Sequence, residues 1–394
     1  MDGQMQQAAD GITPFTRLIL ELRGVCFVIE RETLMSLPES ILLCLFPNGL
    51  VLSDGVGDMS STGEGAVDEQ VHYVDFDATC LQYVLTFFRR AQEYFYGTET
   101  QPGIYWGMGL SPSYMELADA SNAYGQPFHM PLFHKQAVIV LREELEYFVI
   151  PPKNMYSAPV RVSGAAPNAP PGANMAFVAL KDACGDVLLQ RRHIFTALQR
   201  NINKENNVAE QHLIDMLCMS GFDKDDLWGY RAREPGRCGI TSTALVLLKT
   251  GVTHPAELPD RQQPDRPLQR PIGVERAGVD AAAGVEPVPK NLSEEQLGDW
   301  VDDGQGGSLR VNQQQLATTQ KLLLFWRKPA RKCWWDGIDI ILPSTDAVRT
   351  DPTAVSPTVL TAMTPQERAL LDGGKGQLLR VWVRRVWTLE VSLI

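Results

Sequence analysis

Apolar and polar positions along the chain fall into two patterned regions, with aperiodic stretches between them. From Arg17 to Arg23 and from Val25 to Ile29, β-type residues flank Gly24, which predicts a tight hairpin. Thr33 is placed to cap a helical turn, and Pro38 to open a second helix through Phe46, stopped by Pro47-Asn48-Gly49. Val71 to Val74 predicts a short strand. Asp77 then caps a helix in which Leu81, Val84, Leu85, Phe88 and Phe95 recur at helical spacing, with Gly97 as its stop. Leu141 to Phe148 (LREELEYF) predicts one more helix, ended before Pro151.

The second region has mixed periodicity. Asn207 to Ser220 predicts a helix that ends at Gly221. The run Trp334-Trp335-Asp336-Gly337-Ile338 predicts a hairpin, because Asp-Gly suits a type I′ turn. In the last segment the odd positions Val381, Val383, Trp387, Leu389, Val391 and Leu393 are apolar, and the even positions Arg380, Arg384, Thr388, Glu390 and Ser392 are polar. That is a strand with one buried face. Trp382 and Val386 break the pattern on the outer face, and Arg385 breaks it on the inner. Trp and Arg are the residues of interaction hot spots, so Trp334, Trp335, Trp382, Arg384 and Arg385 are candidates for a protein-binding surface.

Composition sets the boundaries. Residues 1–13 are polar and expected to be disordered. The first domain is expected over 14–152, with a Gly/Ser/acidic insert at 48–70, and 153–174, rich in Pro, Ala and Asn, reads as a linker. Residues 175–251 and 313–394 are expected to form a smaller C-terminal domain. The stretch between them, 252–312, is expected to be a disordered insert, being rich in Pro, Gly, Gln and charge. The expected fold class is α+β. A net charge of -11 argues against a nucleic-acid binder. No apolar run approaches the roughly 18 residues of a membrane span, and no secretory leader is visible at the start. The seven scattered cysteines suit a reducing compartment, giving an expectation of a cytoplasmic protein.

The order of the N-terminal elements resembles the BTB/POZ fold in its potassium-channel tetramerisation (KCTD-like) form. The pattern is carried by Leu22, Gly24, Phe27, Thr33, Leu34, Pro38, Ser40, Leu45, Phe46, Asp75, Asp77, Leu81, Leu85, Phe88 and Arg89. The insert after Asn48 is longer than that fold usually carries, and the His/Cys cluster of its zinc-bridged subtype is missing, so no zinc-linked tetramer is implied. On this resemblance Pro38, Ser40 and Phe46 are further protein-interaction candidates, and self-association through the domain is implied. Along the rest of the chain, LPESILLCLFPNG (37–49), VLREELEYFVIPP (140–152), EQHLIDMLCMSGFDKDDLWGYR (210–231), KPARKCWWDG (328–337) and VWVRRVWTLEVS (381–392) look like the fungal Whi growth and stress-response regulators. That resemblance implies a non-catalytic adaptor without a cofactor. Its partner would be a plasma-membrane phosphatase of the haloacid-dehalogenase class, in the general stress response and in restraint of TOR signalling. Localisation would be cytoplasmic, with peripheral membrane association through the partner. A role as substrate adaptor of a cullin ubiquitin ligase, filled by other BTB proteins, is the alternative.

Asp75-Phe76-Asp77-Ala78-Thr79 imitates the DxDxT motif of aspartate phosphatases, in which the first Asp attacks phosphorus and the second transfers the proton. Asp225-Asp226 could pose as the later acidic pair of such a site. The strand before the motif is short and carries His72, and a helix follows at once, so a strand end and a helix cap are the expectation. His129 and His134 lack metal-ligand spacing. Cys238 beside Arg237 reads as a loop thiol. The run from Trp326 to Trp335 mixes cations with Trp and suggests an anionic lipid surface or, less well, single-stranded nucleic acid, although packing of the indoles in a sheet explains it more simply. Ser293, followed by Glu294-Glu295, is a candidate phosphorylation site.

Overall fold

The structure, a computed structural model, describes residues 17–50, 71–101, 103–105, 132, 135–150, 175–205, 207–254, 298–302, 308–343, 350–352 and 355–394. The N-terminal 1–13, most of the 48–70 insert, the 153–174 linker, most of 252–312, Ser293, His129 and His134 lie outside them. The chain divides into two compact units, Met1–Thr86 and Phe87–Ile394. The C-terminal unit is therefore the larger, against expectation.

In the first unit β1 (Arg17–Leu22) and β2 (Val25–Glu30) form the expected hairpin, in register from Arg17 with Glu30 to Leu22 with Val25. The turn requires positive φ at both Arg23 (49°) and Gly24 (92°), which glycine adopts at no steric cost. Strand pairing holds to Glu30, and α1 (Arg31–Met35) starts at the next residue with extended Glu30 as its cap. Thr33 is thus inside the helix and does not cap it. Next, α2 (Glu39–Leu45) opens after Pro38 and ends at Phe46, as predicted. β3 (Val71–Val74) pairs parallel with β1, giving the sheet order β2-β1-β3. Leu18, Leu20 and Leu22 alternate onto the buried side. The helix α3 (Ala78–Tyr96) follows, its residues to Thr86 in this unit and those from Phe87 in the second, with the Asp77 carboxylate accepting from the amides of Thr79 (2.8 Å) and Cys80 (3.0 Å). It stops at Gly97, whose φ is 87°.

The second unit is organised by a five-stranded antiparallel sheet, order β10-β11-β4-β6-β5. Its strands are β4 (Ala137–Val149), β5 (Tyr230–Arg233), β6 (Gly239–Leu247), β10 (Ala330–Pro343) and β11 (Gly376–Leu393). Two predictions fail here for physical reasons. Leu141–Phe148 is part of central β4, not a helix, and it joins the sheet of the second unit although the sequence placed it in the first domain. Its Leu and Glu are good helix formers, but ladders on both sides override propensity. Asp336-Gly337 makes no turn, and β10 runs straight through it in register with β11. There Trp382 covers the glycine: a Cβ at Gly337 would sit 3.7 Å from the Trp382 ring, so the cross-strand indole fills the missing side chain.

One face of the sheet is covered by α4 (Met175–Gln190), α5 (Thr196–Glu205), α6 (Val208–Ser220) and α7 (Gln313–Trp326), while short α8 (Pro357–Ala362) and α9 (Pro365–Asp372) pack on Ile341 and Leu378 of the opposite face, at the C-terminal end of β10. The helix predicted over 207–220 is present as α6. Asn207 caps it through its side chain, and Gly221 (φ 149°) ends it. Part of the stretch expected to be disordered is ordered at both ends: β7 (Val252–Thr253), β8 (Asp299–Asp302) and β9 (Ser308–Val311) form a three-stranded sheet, order β7-β9-β8. Val252, Leu309 and Val311, at these ends, enter the core. Average composition hides them.

Candidate functional site

Successive residues of a strand point to opposite faces, so each adjacent pair of candidates is split by the sheet. Trp335, Trp382 and Arg384 share the outer face, and Trp334 and Arg385 turn inward. The five candidates from the sequence are therefore two sites.

On the outer face the register sets Trp335 opposite Arg384 and Glu146, and Gly337 opposite Trp382 and Phe148. Trp335 reaches across β11 to Phe148, with ring centroids 5.6 Å apart and planes inclined by 31°. Trp335, Phe148 and Trp382 remain 59%, 48% and 43% exposed. Around them Arg384 bonds Glu146 at 3.0 Å, and Arg380 grips Asp339 through two bonds of 2.7 and 2.9 Å. These exposed ion pairs orient cations beside the rings and add little stability. Phe148 was missed because its segment was read as helical; as a strand, the alternation Glu144, Glu146, Phe148 would have placed it with the tryptophans.

The inner face carries a polar belt between two apolar clusters. Leu141 and Leu145 flank Glu143, Val383 and Trp387 flank Arg385, and Ile240 and Ala244 flank Ser242. Glu143, fully buried, accepts from Arg231 at 2.8 Å, from Trp387 Nε1 at 3.0 Å, and from Arg385. Burial would raise its carboxyl pKa, but the guanidiniums of Arg385 and Arg231, with the Arg231 and Trp387 hydrogen bonds, outweigh it and hold the group at about 2. Both carboxylate oxygens are engaged, so Glu143 acts as a fixed anion rather than a proton carrier. The belt continues with Arg200, paired with Asp336 and bonded to the Gly337 carbonyl at 2.7 Å, and with Arg191, bonded to Glu367 at 2.8 Å. Arg385, which broke the sequence alternation, is thus explained by Glu143. Trp334 is half-buried and meets Trp387 edge-on at 5.6 Å, under the Lys332 ammonium. Of the five, Trp334 and Arg385 serve the interior.

The N-terminal candidates divide as well. Pro38 and Ser40 are buried and offer no side chain to a partner; Phe46 is half-buried. At the DxDxT look-alike, Asp75 is 87% exposed and bonds Arg23 at 2.6 Å, while Asp77 is engaged as the helix cap. The arrangement is a strand end followed by a cap. Asp225-Asp226 belongs to the other unit, where Asp226 accepts from the Asp223 amide at 2.6 Å. Arg237, beside Cys238, turns to Glu234 at 3.5 Å. No helix among the described residues is long and apolar enough to cross a membrane.

The chain is similar to two fungal proteins over most of its length. A WHI2-like protein of Schizosaccharomyces pombe is 28% identical over 380 residues, covering 96% of this chain and 88% of that protein. A growth regulation protein of Saccharomyces cerevisiae is 27% identical over 449 aligned positions, covering 93% of this chain and 89% of that one. No family model matches the chain, and no solved structure matches it significantly. Both relatives are fungal, and growth regulation is the role named for the second of them.

Proposed function

We propose that the chain is a non-catalytic regulatory scaffold that holds a partner protein, and that the partner is a plasma-membrane phosphatase of the haloacid-dehalogenase class. The observation that carries this reading is the outer-face cluster of Trp335, Phe148 and Trp382. Three large aromatic side chains are displayed to solvent beside oriented Arg384 and Arg380. Such a surface has the composition of a binding hot spot. Similarity to a growth regulation protein supports the growth-regulatory side of the reading. On it, the chain supports the phosphatase in the general stress response and restrains TOR signalling, in the cytoplasm and peripheral to the plasma membrane through its partner.

We read the first unit as a BTB/POZ domain of the KCTD-like form. The order hairpin, α1, α2, β3 parallel to β1, then α3 supports this, as does the Asp77 cap. Light scattering on the intact chain tests the self-association that such a domain implies.

Affinity purification of the tagged chain tests the function. A phosphatase that co-purifies and is lost with Trp335→Ala supports the scaffold. A cullin in its place would make the chain a ubiquitin-ligase adaptor. Phosphate release from p-nitrophenyl phosphate with Mg2+, abolished by Asp75→Asn, would overturn the non-catalytic reading.

A further inference from the structure

The five-stranded sheet ends at β10, which has a strand partner on one side only. In an antiparallel ladder the N–H and C=O of one residue point the same way, and residues two apart repeat that direction. Three contacts identify the outward phase of β10. The Ile341 amide donates to Glu367 at 3.1 Å, the Asp339 carbonyl accepts from Arg191 at 2.9 Å, and the Gly337 carbonyl accepts from Arg200 at 2.7 Å. Side chains thus close the edge over residues 337–341. Register with β11 is unbroken back to Ala330, so Arg331, Cys333 and Trp335 have the same outward phase. Among the described residues nothing bonds their edge groups.

An unpaired edge is a template for another strand. Its surroundings are open: Ala330 to Cys333 and Trp335 are exposed, and at the end of α7 Leu324 and Phe325 are 79% and 71% exposed. Arg327 and Arg331 are exposed and have no acidic partner among the described residues, in a chain whose net charge is -11.

We propose that an extended segment of a partner protein, alternating acidic and apolar residues, adds to β10 at 331–335 as a sixth strand. Its backbone bonds Arg331, Cys333 and Trp335, its apolar side chains fall on the outer face beside Trp335, and its negative charge is drawn by the nearby cations Arg327 and Arg331. A second copy of this chain fits poorly, because it would bring its own Arg327, Arg331 and Lys332 to the same short edge. A bilayer fits poorly too, since hydrocarbon leaves edge N–H and C=O groups unsatisfied. The inference rests on the scaffold reading and specifies how that scaffold engages a partner.

The test is fluorescence anisotropy of the full chain with a labelled peptide of sequence Glu-Val-Glu-Phe-Glu-Val. Cys333→Pro removes one edge donor but no β10–β11 bond, a position at which strands accept proline. It should weaken binding about tenfold, the loss of a single well-placed hydrogen bond, whereas Cys333→Val should leave it unchanged. If the proline variant fails to fold, the double variant Arg327→Glu/Arg331→Glu leaves the backbone intact and should also weaken binding. Absence of saturable binding to the unaltered chain overturns the proposal, as does equal binding by the variants. So does binding only to vesicles of phosphatidylserine and phosphatidylcholine, or protection of the edge by dimer formation in light scattering. A phosphatase that still co-purifies while the peptide fails removes the edge site and leaves the scaffold reading standing.

Discussion

Trp335 and Phe148 lie on strands separated by β11, yet their rings approach to 5.6 Å across it. Trp334, one residue earlier, lies on the other side of the sheet against Trp387. Strand geometry alone assigns the two neighbouring indoles to opposite tasks.

This predicts an asymmetry between tryptophans. Trp335→Ala should change stability by no more than about 0.5 kcal/mol, as an exposed substitution does, while reducing partner capture. Trp387→Ala empties a buried site and leaves Glu143 without one donor, so it should cost about 3–5 kcal/mol. Thermal unfolding beside a pull-down checks both. Equal loss of stability in the two variants would mean that Trp335 is not a surface anchor.

Glu143 gives a pH signature. Its carboxyl is held at about 2, against an ordinary value of 4.5. A depressed carboxylate stabilises the fold above its unfolded pKa, and that contribution is lost as pH falls through the folded one. The window is therefore from pH 4.5 down to 2, and the shift corresponds to about 3 kcal/mol. Denaturant unfolding at a series of pH values should show a steeper decline in this window for the unaltered chain than for Glu143→Gln. Glu143→Gln should itself be less stable at neutral pH, because it leaves Arg231 and Arg385 buried without their anion.

Two glycines should respond in opposite directions to alanine. At Gly221, φ is 149° and a Cβ would lie 2.7 Å from the Leu247 carbonyl oxygen, so Gly221→Ala should cost at least about 1 kcal/mol. At Gly337 the nearest atoms to a Cβ are 3.6–3.8 Å away, an ordinary contact, and alanine loses less entropy on ordering in a strand. Gly337→Ala should be neutral or stabilise by up to about 1 kcal/mol. Melting temperatures of the two variants decide the matter.

Legibility followed the range of the forces involved. Local signals were readable: Gly24 set the hairpin, Pro38 opened α2, Asp77 capped α3, and Asn207 and Gly221 bounded α6. The failures are long-range. Nothing near LREELEYF says that two ladders will claim it, and Glu143 at an inward position hides the period of two until Arg231, 88 residues on, and Arg385, 242 residues on, supply its partners. Asp336-Gly337 resembled a turn because Trp382, which covers the glycine, comes from another strand. Arg191 and Arg200, which cap the β10 edge, had no local signal at all.

The DxDxT look-alike supplies the last prediction. Asp77 holds two amides at the start of a helix of 19 residues, and Asp75 makes one exposed ion pair with Arg23. Loss of an N-cap costs about 1 kcal/mol, and loss of an exposed pair between 0 and about 1 kcal/mol. Asp77→Ala should therefore lower stability clearly more than Asp75→Asn does, with Asp77→Ser recovering most of the loss because serine also caps. A catalytic pair would show the reverse priority, since Asp75 would be the nucleophile and its replacement would remove activity without disturbing the fold. Denaturant titration of the three variants, run beside phosphate release from p-nitrophenyl phosphate, separates a helix cap from an active site: graded stability with no turnover in any of them is the outcome expected of a scaffold.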